Sequence, residues 1–230
     1  PTGAGLASSA SGFAALALAA TAAHELELGF KELSLLARRG SGSACRSIYG
    51  GFVEWLKGKR EDGLDSYAVP LFPDNELKLG MLVLILQETP KAISSREAMK
   101  KCVQSSPLYA GWVDSVEIDL KTIRTAIKSE DFSWIGTIME HNCLKMHAVM
   151  LAAQPPILYW KPETLTLIEE VYTLRQEGIE CYFTIDAGAN LAILAQEEHL
   201  SFLLHHFESK AEVQRVILCR PGKGVILCNT

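Results

Sequence analysis

The sequence predicts an α+β fold, with a loop-rich N-terminal part and a helix-rich C-terminal part. Residues 81–87 (MLVLILQ) form a continuous apolar run of strand length, which indicates a buried strand. Residues 112–128 instead carry apolar side chains at three- and four-residue spacing, the pattern of an amphipathic helix. Its apolar stripe consists of Val113, Val116, Leu120, Ile123 and Ile127.

The N-terminal part begins with a Gly/Ser/Ala-rich loop over residues 1–11, which leads into an alanine-rich helix ending near His24. An amphipathic helix is predicted over 30–38, followed by the small-residue loop 40–43. Residues 52–56 are typical of a strand. The charged stretch 57–75, with its glycine and prolines, indicates a hairpin loop containing a second strand.

The C-terminal part starts after Pro90, where the pattern becomes helical, and we therefore predict domains over residues 1–90 and 91–230. Further helices are predicted over 94–105, 132–153, 163–177 and 198–208, and strands over 181–185, 192–195, 213–219 and 225–228.

Composition argues against several classes of function. The net charge of -5 does not favour binding to nucleic acid or to an anionic membrane. We find no apolar run of the roughly 20 residues that a membrane span requires. The six cysteines form no CxxC pair, so we expect reduced thiols in a cytoplasmic protein and no structural zinc. Because the sequence opens without Met, we also expect an upstream segment.

The first loop suits a bound anion. Gly3, Gly5, Ser8 and Ser9 precede a helix, so backbone N–H groups and the positive helix end could hold phosphate. The alternative is a small-residue helix start that packs closely against a sheet, and the composition alone leaves both open.

The second loop places an arginine after two serines that flank a glycine, in Ser41-Gly42-Ser43 and Arg46. Arginine is the side chain best suited to hold a carboxylate through two parallel hydrogen bonds. A structural ion pair is the alternative. A third candidate, Asp186, ends the apolar strand 181–185, where it is either a capping residue or a functional acid.

These stretches resemble one family. PTGAGLASSA (residues 1–10) is similar to the P-x-x-x-G-L-x-S-S-A phosphate loop of the GHMP kinases. GSGSACRSIYGGFVEW (residues 40–55) resembles the signature of the mevalonate 5-diphosphate decarboxylase branch. FTIDAGAN (residues 183–190) resembles the family's F-T-x-D-A-G-P-N, although Ala189 stands where the family usually has proline.

The resemblance implies a GHMP kinase fold, with an N-terminal part like ribosomal protein S5 domain 2, incomplete here, and a ferredoxin-like C-terminal domain. The active-site cleft would lie between them. It further implies binding of ATP with Mg²⁺, with Ser9 as the residue that reaches the metal. The implied ATP-binding residues are Gly3, Gly5, Leu6, Ala7, Ser8 and Ser9.

For the substrate, the resemblance implies contacts from Ser41, Gly42 and Ser43, and a bond from Arg46 to the C1 carboxylate. Asp186 would orient the C3 hydroxyl and take its proton during phosphoryl transfer, kept ionised by Arg46. A second set of contacts would come from Ser95 and Arg96. These two residues fall in a stretch similar to the family's S-S-x-x-G/A-M segment, in which Ser94 or Ser95 also caps a helix.

His147 lies on the apolar face of its predicted helix, where a histidine is more often a satisfied core residue than a chemical group, although the family has a similar M-H-A string.

The implied activity is ATP-dependent decarboxylation of mevalonate 5-diphosphate to isopentenyl diphosphate, in a homodimer. Two alternatives stay open. One is a related enzyme that decarboxylates the 5-phosphate or only phosphorylates mevalonate. The other is a non-catalytic protein that binds a nucleotide or an isoprenoid diphosphate.

Overall fold

The computed structural model describes residues 8–72, 77–86 and 93–228. The described chain divides into two compact units. Residues 8–72 and 221–228 form one, here called the two-stranded unit. Residues 77–86 and 93–220 form the other, the four-stranded unit. No helix in these three ranges is long and apolar enough to cross a membrane.

The two-stranded unit contains helices α1 (Ser8–Ala23) and α2 (Phe30–Gly40), a short 3-10 helix (Gly42–Ile48), and strands β1 (Phe52–Trp55) and β2 (Ala68–Phe72). The two strands pair antiparallel, as the predicted hairpin requires. Its core consists mainly of small side chains, which lets helices and loops approach closely. The buried cluster contains Ala14, Ala17, Leu33, Ala37, Ala44 and Ile48.

The four-stranded unit holds one antiparallel sheet with the strand order β4-β5-β3-β6. Its strands are β3 (Leu79–Ile85), β4 (Cys181–Thr184), β5 (Leu191–Gln196) and β6 (Arg215–Cys219). Its helices are α3 (Ser95–Ser105), α4 (Tyr109–Lys128), α5 (Phe132–Leu151), α6 (Pro162–Gln176) and α7 (Glu197–Glu208).

Alternate residues of the strands face the largest core. Leu82 lies opposite Ile193, which in turn lies opposite Phe183, so the three side chains project from the same face of the sheet. All three are fully buried, together with Leu167 of α6 and Leu200 of α7. The apolar run 81–87 therefore contributes a core strand, as predicted.

One prediction about an individual element was wrong. Residues 225–228 form no strand, because backbone bonds of the 221–228 segment go to the end of the 3-10 helix and the loop after it, with Val225 N–H donating to the Ile48 carbonyl at 3.2 Å. The apolar stripe of α4 is only partly buried. Ile127 is 5% exposed but Val113 is 40% exposed, because α4 packs mainly on a single neighbour, α5.

The compact units also divide the chain earlier than the predicted limit at residues 90 and 91. Strand β3 pairs with β5 and β6, so it belongs to the four-stranded unit although it precedes Pro90. The predicted domains 1–90 and 91–230 stay a prediction.

Strand β4 lies at the edge of the sheet, and its outward backbone groups hydrogen-bond to side chains instead of to another strand. Glu140 of α5 accepts from the Phe183 N–H at 3.0 Å, and Arg175 of α6 donates to the Cys181 carbonyl at 3.0 Å. The two side chains also form an ion pair at 2.8 Å. Buried backbone groups at the edge are thereby satisfied.

Candidate active site

The 3-10 helix presents Arg46 to solvent while it buries three of its other residues. Ala44, Cys45 and Ile48 are fully buried, while Arg46 is exposed. Ser34 fixes this turn, because its buried hydroxyl donates to the Cys45 carbonyl at 3.1 Å and accepts from the backbone of β2. Arg46 forms no ion pair with any residue of the described ranges. The structural ion pair considered for this arginine is therefore not observed.

Hydroxyl groups of the two predicted binding loops meet within the two-stranded unit. Ser9 Oγ, in the first turn of α1, lies 3.3 Å from Ser41 Oγ, which lies 3.4 Å from Ser43 Oγ. Between the two loop serines, a Cβ added to Gly42 would lie 2.7 Å from the ring of Trp55. The two SGS hydroxyls and that of Ser9 thus lie in a row beside a glycine that must stay small.

Arg46 lines an open cavity of about 510 Å³ in the two-stranded unit. The C-terminal segment contributes a second cation, Lys223, to the same cavity. Ser11, Ser47 and Tyr49 add hydroxyl groups to its lining. A cavity with two cations and three hydroxyls suits an anionic ligand. Lys223 lies between the predicted strands 213–219 and 225–228, and nothing in the local sequence indicates that this segment packs beside Arg46.

Glycines on both sides bring Lys223 to this cavity. A Cβ on Gly224 would lie 2.4 Å from the Ile48 carbonyl oxygen, and one on Gly50 would lie 2.8 Å from the Gly222 carbonyl oxygen. The Gly51 N–H donates to that same Gly222 oxygen at 3.4 Å. The Gly50-Gly51 pair of the signature therefore serves close backbone packing.

The predicted metal contact in this unit is the hydroxyl of Ser9. The described residues include no group of three or more His, Cys, Asp or Glu side chains that could hold an ion. Ser9 offers an exposed hydroxyl oxygen in the first turn of α1. Mg²⁺ accepts hard oxygen ligands and often takes most of them from substrate phosphates and water, so this donor fits a metal bound together with a triphosphate.

In the four-stranded unit, Asp186 is exposed just beyond the end of β4. The turn that follows it is held at its far side. Buried Thr164 donates to the Ala189 carbonyl at 2.9 Å, and the Asn190 side chain accepts from the Leu86 N–H at 2.9 Å. Ala189, which replaces the family's usual proline, therefore lies in a turn anchored by hydrogen bonds.

The near side of the turn is held through Ile185. Its N–H donates to Cys143 Sγ at 3.1 Å, and its carbonyl oxygen lies 3.0 Å from His147 Nε2. Because a carbonyl only accepts, His147 carries its proton on Nε2. Burial lowers the pKa of His147 and raises the pKa of Cys143, so both side chains are neutral. His147 is thus a satisfied buried residue, as the sequence favoured, and it adjoins the residue before Asp186.

The start of α3 carries the second predicted set of contacts. Ser94 is the N-cap, accepting from the Glu97 N–H at 3.2 Å, so the capping prediction is confirmed for this serine. Ser95 is half-buried and Arg96 is exposed in the first turn. Arg96, like Arg46, has no ion pair within the described ranges.

The predicted site residues thus fall into three groups. Within the two-stranded unit, the structure brings together Ser9, Ser41, Gly42 and Ser43, with Arg46 on the following turn. Ser95, Arg96 and Asp186 belong to the four-stranded unit. Gly3, Gly5, Leu6 and Ala7 lie outside the described residues, and Ser8 is the first residue of α1.

Family models match both parts of the chain. Residues 1–68 match the "Diphosphomevalonate decarboxylase-like N-terminal domain", and residues 81–224 match the "Mevalonate 5-diphosphate decarboxylase C-terminal domain".

Named relatives agree with these models. The diphosphomevalonate decarboxylase of Candida albicans is 38% identical over 90% of this chain and 59% of its own length. That of Bos taurus is 32% identical over 100% of this chain and 58% of its own length. The chain therefore spans somewhat more than half the length of the curated relatives it matches.

Solved structures give the same result. The mevalonate diphosphate decarboxylase from Enterococcus faecalis is 44% identical, with a TM-score of 0.85 over 97% of this chain and 68% of that chain. The enzyme from Staphylococcus aureus is 39% identical, with a TM-score of 0.90 over 97% and 68%. Another structure, titled "MDDEF in complex with MVAPP, AMPPCP and Magnesium", is 45% identical, with a TM-score of 0.90 over 100% and 70%. With both family models matched and these neighbours at high identity, the chain belongs to the mevalonate 5-diphosphate decarboxylase family.

Proposed function

We propose that this protein catalyses the ATP- and Mg²⁺-dependent decarboxylation of mevalonate 5-diphosphate to isopentenyl diphosphate. The observation that carries the proposal is the exposed Arg46 on the family's signature turn, beside a hydroxyl-lined cavity and without an ion pair to any residue in the described ranges. Family membership supports it, as do relatives named diphosphomevalonate decarboxylase and a neighbour whose title names MVAPP, AMPPCP and magnesium.

Arg46 would hold the C1 carboxylate of the substrate. An exposed guanidinium on a buried turn can form two parallel bonds to a carboxylate while its backbone stays fixed. Lys223 lines the same cavity and would add positive charge to the binding of the anionic substrate. Ser41 and Ser43 would donate hydroxyl hydrogen bonds to that substrate, and Arg96 would bind its diphosphate.

Asp186 would orient the C3 hydroxyl and take its proton as the γ-phosphoryl group of ATP is transferred to that oxygen. ADP leaves. The C3–O bond then breaks with loss of inorganic phosphate, and the C1–C2 bond breaks to release CO₂. The electron pair of the C1–C2 bond forms a double bond between substrate atoms C2 and C3, which is the terminal double bond of isopentenyl diphosphate. The Asp186 carboxylate would stabilise the positive charge that develops at C3.

Ser8 and Ser9 would contact the ATP phosphates, and Ser9 would be the protein's hydroxyl ligand to Mg²⁺. When bound, the ion would neutralise charge on the transferring phosphoryl group. The free cysteines among the described residues support a reducing compartment such as the cytoplasm. A homodimer remains a prediction.

The test is a coupled assay of ADP and CO₂ release by the native protein with mevalonate, its 5-phosphate and its 5-diphosphate. We expect both products together, with the diphosphate alone. A general base contributes about 10²–10⁴-fold, so Asp186→Asn should lower kcat about 1000-fold.

Other outcomes separate the alternatives. CO₂ release with the 5-phosphate would identify a monophosphate decarboxylase, and ADP without CO₂ would identify a kinase. No ATP consumption with any of the three compounds would overturn the proposal in favour of a binding protein.

A further inference from the structure

One face of α5 carries a row of polar groups aimed at the edge of β4. Glu140, Cys143 and His147 are spaced three and four residues apart, so they share one face of the helix. All three are buried, at 8%, 5% and 3% exposure. Each forms a hydrogen bond to the backbone at or just after β4.

Gly136, one turn earlier on the same face, allows α5 to approach β4 closely. A Cβ on Gly136 would lie 2.0 Å from the ring of Tyr182, which is closer than real Cβ atoms come. This contact explains how a side chain as short as Cys143 reaches the backbone of Ile185. The helix is therefore seated at a fixed distance from the strand.

The polar row ends at Ile185, the residue immediately before Asp186. Both backbone groups of Ile185 are bound, its N–H by Cys143 and its carbonyl by His147. The ring of His147 is in turn held against Trp160 at 4.8 Å between centroids. Ile185 is the first residue after β4, so these bonds fix the last peptide groups before the acid.

We propose that His147 is a positioning residue for Asp186, acting through the Ile185 carbonyl and assisted by Cys143. This inference rests on the proposed function for its kinetic consequences, but the placement of the Asp186 segment can be measured without activity. His147 itself does not touch the reacting atoms. Its bond sets the direction in which the Asp186 carboxylate leaves the strand, and small misplacements of a reacting group cost rate out of proportion to their size.

The kinetic test compares four proteins: native, His147→Leu, His147→Gln and Val149→Ala. Leucine removes the donor, whereas the Gln side-chain amide places an N–H donor near the position of Nε2. Val149 is buried on the same helix at 2% exposure and belongs to the apolar cluster against which Ala187 packs. Its truncation therefore controls for lost packing near the same turn, without removal of a hydrogen bond to Ile185.

We expect His147→Leu to lower kcat about 30-fold, in keeping with orientation effects of this size. The KM for mevalonate 5-diphosphate should change less than about twofold, because a positioning residue makes no contact with the bound substrate. His147→Gln should recover most of kcat, and Val149→Ala should keep it.

Hydrogen exchange at residues 184–188 gives the second readout. Exchange should speed up in His147→Leu but not in His147→Gln or Val149→Ala, even if the native protein turns over no mevalonate derivative. Should His147→Leu not fold, Cys143→Ala and Cys143→Ser provide the same comparison at the other bond. Equal kcat and equal exchange in His147→Leu and Val149→Ala would overturn the inference, as would a folded His147→Gln with no recovery.

Discussion

The two compact units fix their candidate residues by different means. In the two-stranded unit, Arg46 projects from a turn made rigid by buried small residues and close-packed glycine backbone. In the four-stranded unit, Asp186 follows an edge strand whose backbone is bound by polar side chains of a helix. In the first arrangement, replacement of the functional side chain should leave the stability of the core unchanged. The second ties the position of the functional group to buried hydrogen bonds, so damage to that network should reach both stability and rate.

The largest expected effect is the loss of the buried charge at Glu140. Glu140→Gln keeps an oxygen for the Phe183 N–H but leaves Arg175 without its partner, and both side chains are mostly buried, at 10% and 23% exposure. Breaking a buried pair from one side costs about 3–5 kcal/mol. Because Arg175 keeps some solvent contact, we expect about 3 kcal/mol, measured by urea denaturation of the native protein.

The matched control is Glu97→Gln, which removes a long, exposed pair with Lys101 on α3. A loss of at most about 0.5 kcal/mol is expected there. Equal losses in the two variants would contradict the view that the edge of β4 depends on buried charge.

Arg46→Gln should instead lower activity without lowering stability. Losing a charged hydrogen-bond donor to a carboxylate costs about 2 kcal/mol, so we expect kcat/KM for mevalonate 5-diphosphate to fall roughly 30-fold. The free energy of unfolding should change by less than about 0.5 kcal/mol, because the side chain is exposed. Arg39→Gln, at an exposed position near the end of α2, serves as the control and should leave kcat/KM unchanged. A stability loss with full activity in Arg46→Gln would assign the arginine a structural role.

Gly224→Ala tests the packing that places Lys223. The new Cβ would meet the Ile48 carbonyl oxygen at 2.4 Å, so the segment must shift, and overpacking of this kind costs about 1–3 kcal/mol. We expect about 1.5 kcal/mol, together with a higher KM, from thermal unfolding and steady-state kinetics. Gly222→Ala is the control in the same loop, since its Cβ would meet nothing within 4 Å. Similar behaviour of both variants would show that the close contact does not set the position of Lys223.

The smallest effect is a pH dependence of stability from His147. Burial lowers the pKa of His147 in the folded state below the unfolded value of about 6.5, so the unfolded chain binds the proton first as the pH falls. The free energy of unfolding should therefore decrease as the pH falls below about 6.5. Two carboxyl groups act only at lower pH. A hydrogen bond from Lys210 lowers the pKa of Glu170. Burial opposes the ionisation of Asp119, but hydrogen bonds from Lys145 and Asn142 outweigh it, so its pKa is also lowered.

His147→Gln cannot titrate and should lose this part of the slope, as followed by urea denaturation at several pH values. An unchanged slope in the variant would mean that His147 binds its proton equally well in the folded and unfolded states.

Much of the fold could be predicted from local patterns. Regular apolar spacing predicted α4 and α5, and the run MLVLILQ predicted β3. Two features of the fold could not be predicted in this way. The burial of the α4 stripe and the pairing of residues 225–228 depend on which distant segment lies alongside, and no periodicity contains that information.

The residues of the candidate site also differ in whether a local motif predicts them. Ser41, Ser43 and Arg46 stand in one contiguous motif, so their grouping could be inferred directly. Lys223 could not, because it reaches the cavity of Arg46 only through backbone contacts between glycines far apart in the sequence. His147 could be recognised as a satisfied core residue, but its bond partner becomes known only once α5 is seen beside β4.

The bonded edge of β4 also affects how the protein behaves in a crowded solution. An edge strand with open backbone groups is a template on which another chain can add a strand and begin aggregation. Here Arg175, Glu140, Cys143 and His147 already bind the Cys181 carbonyl, the Phe183 N–H and both backbone groups of Ile185, so these four groups are not available for pairing with another chain.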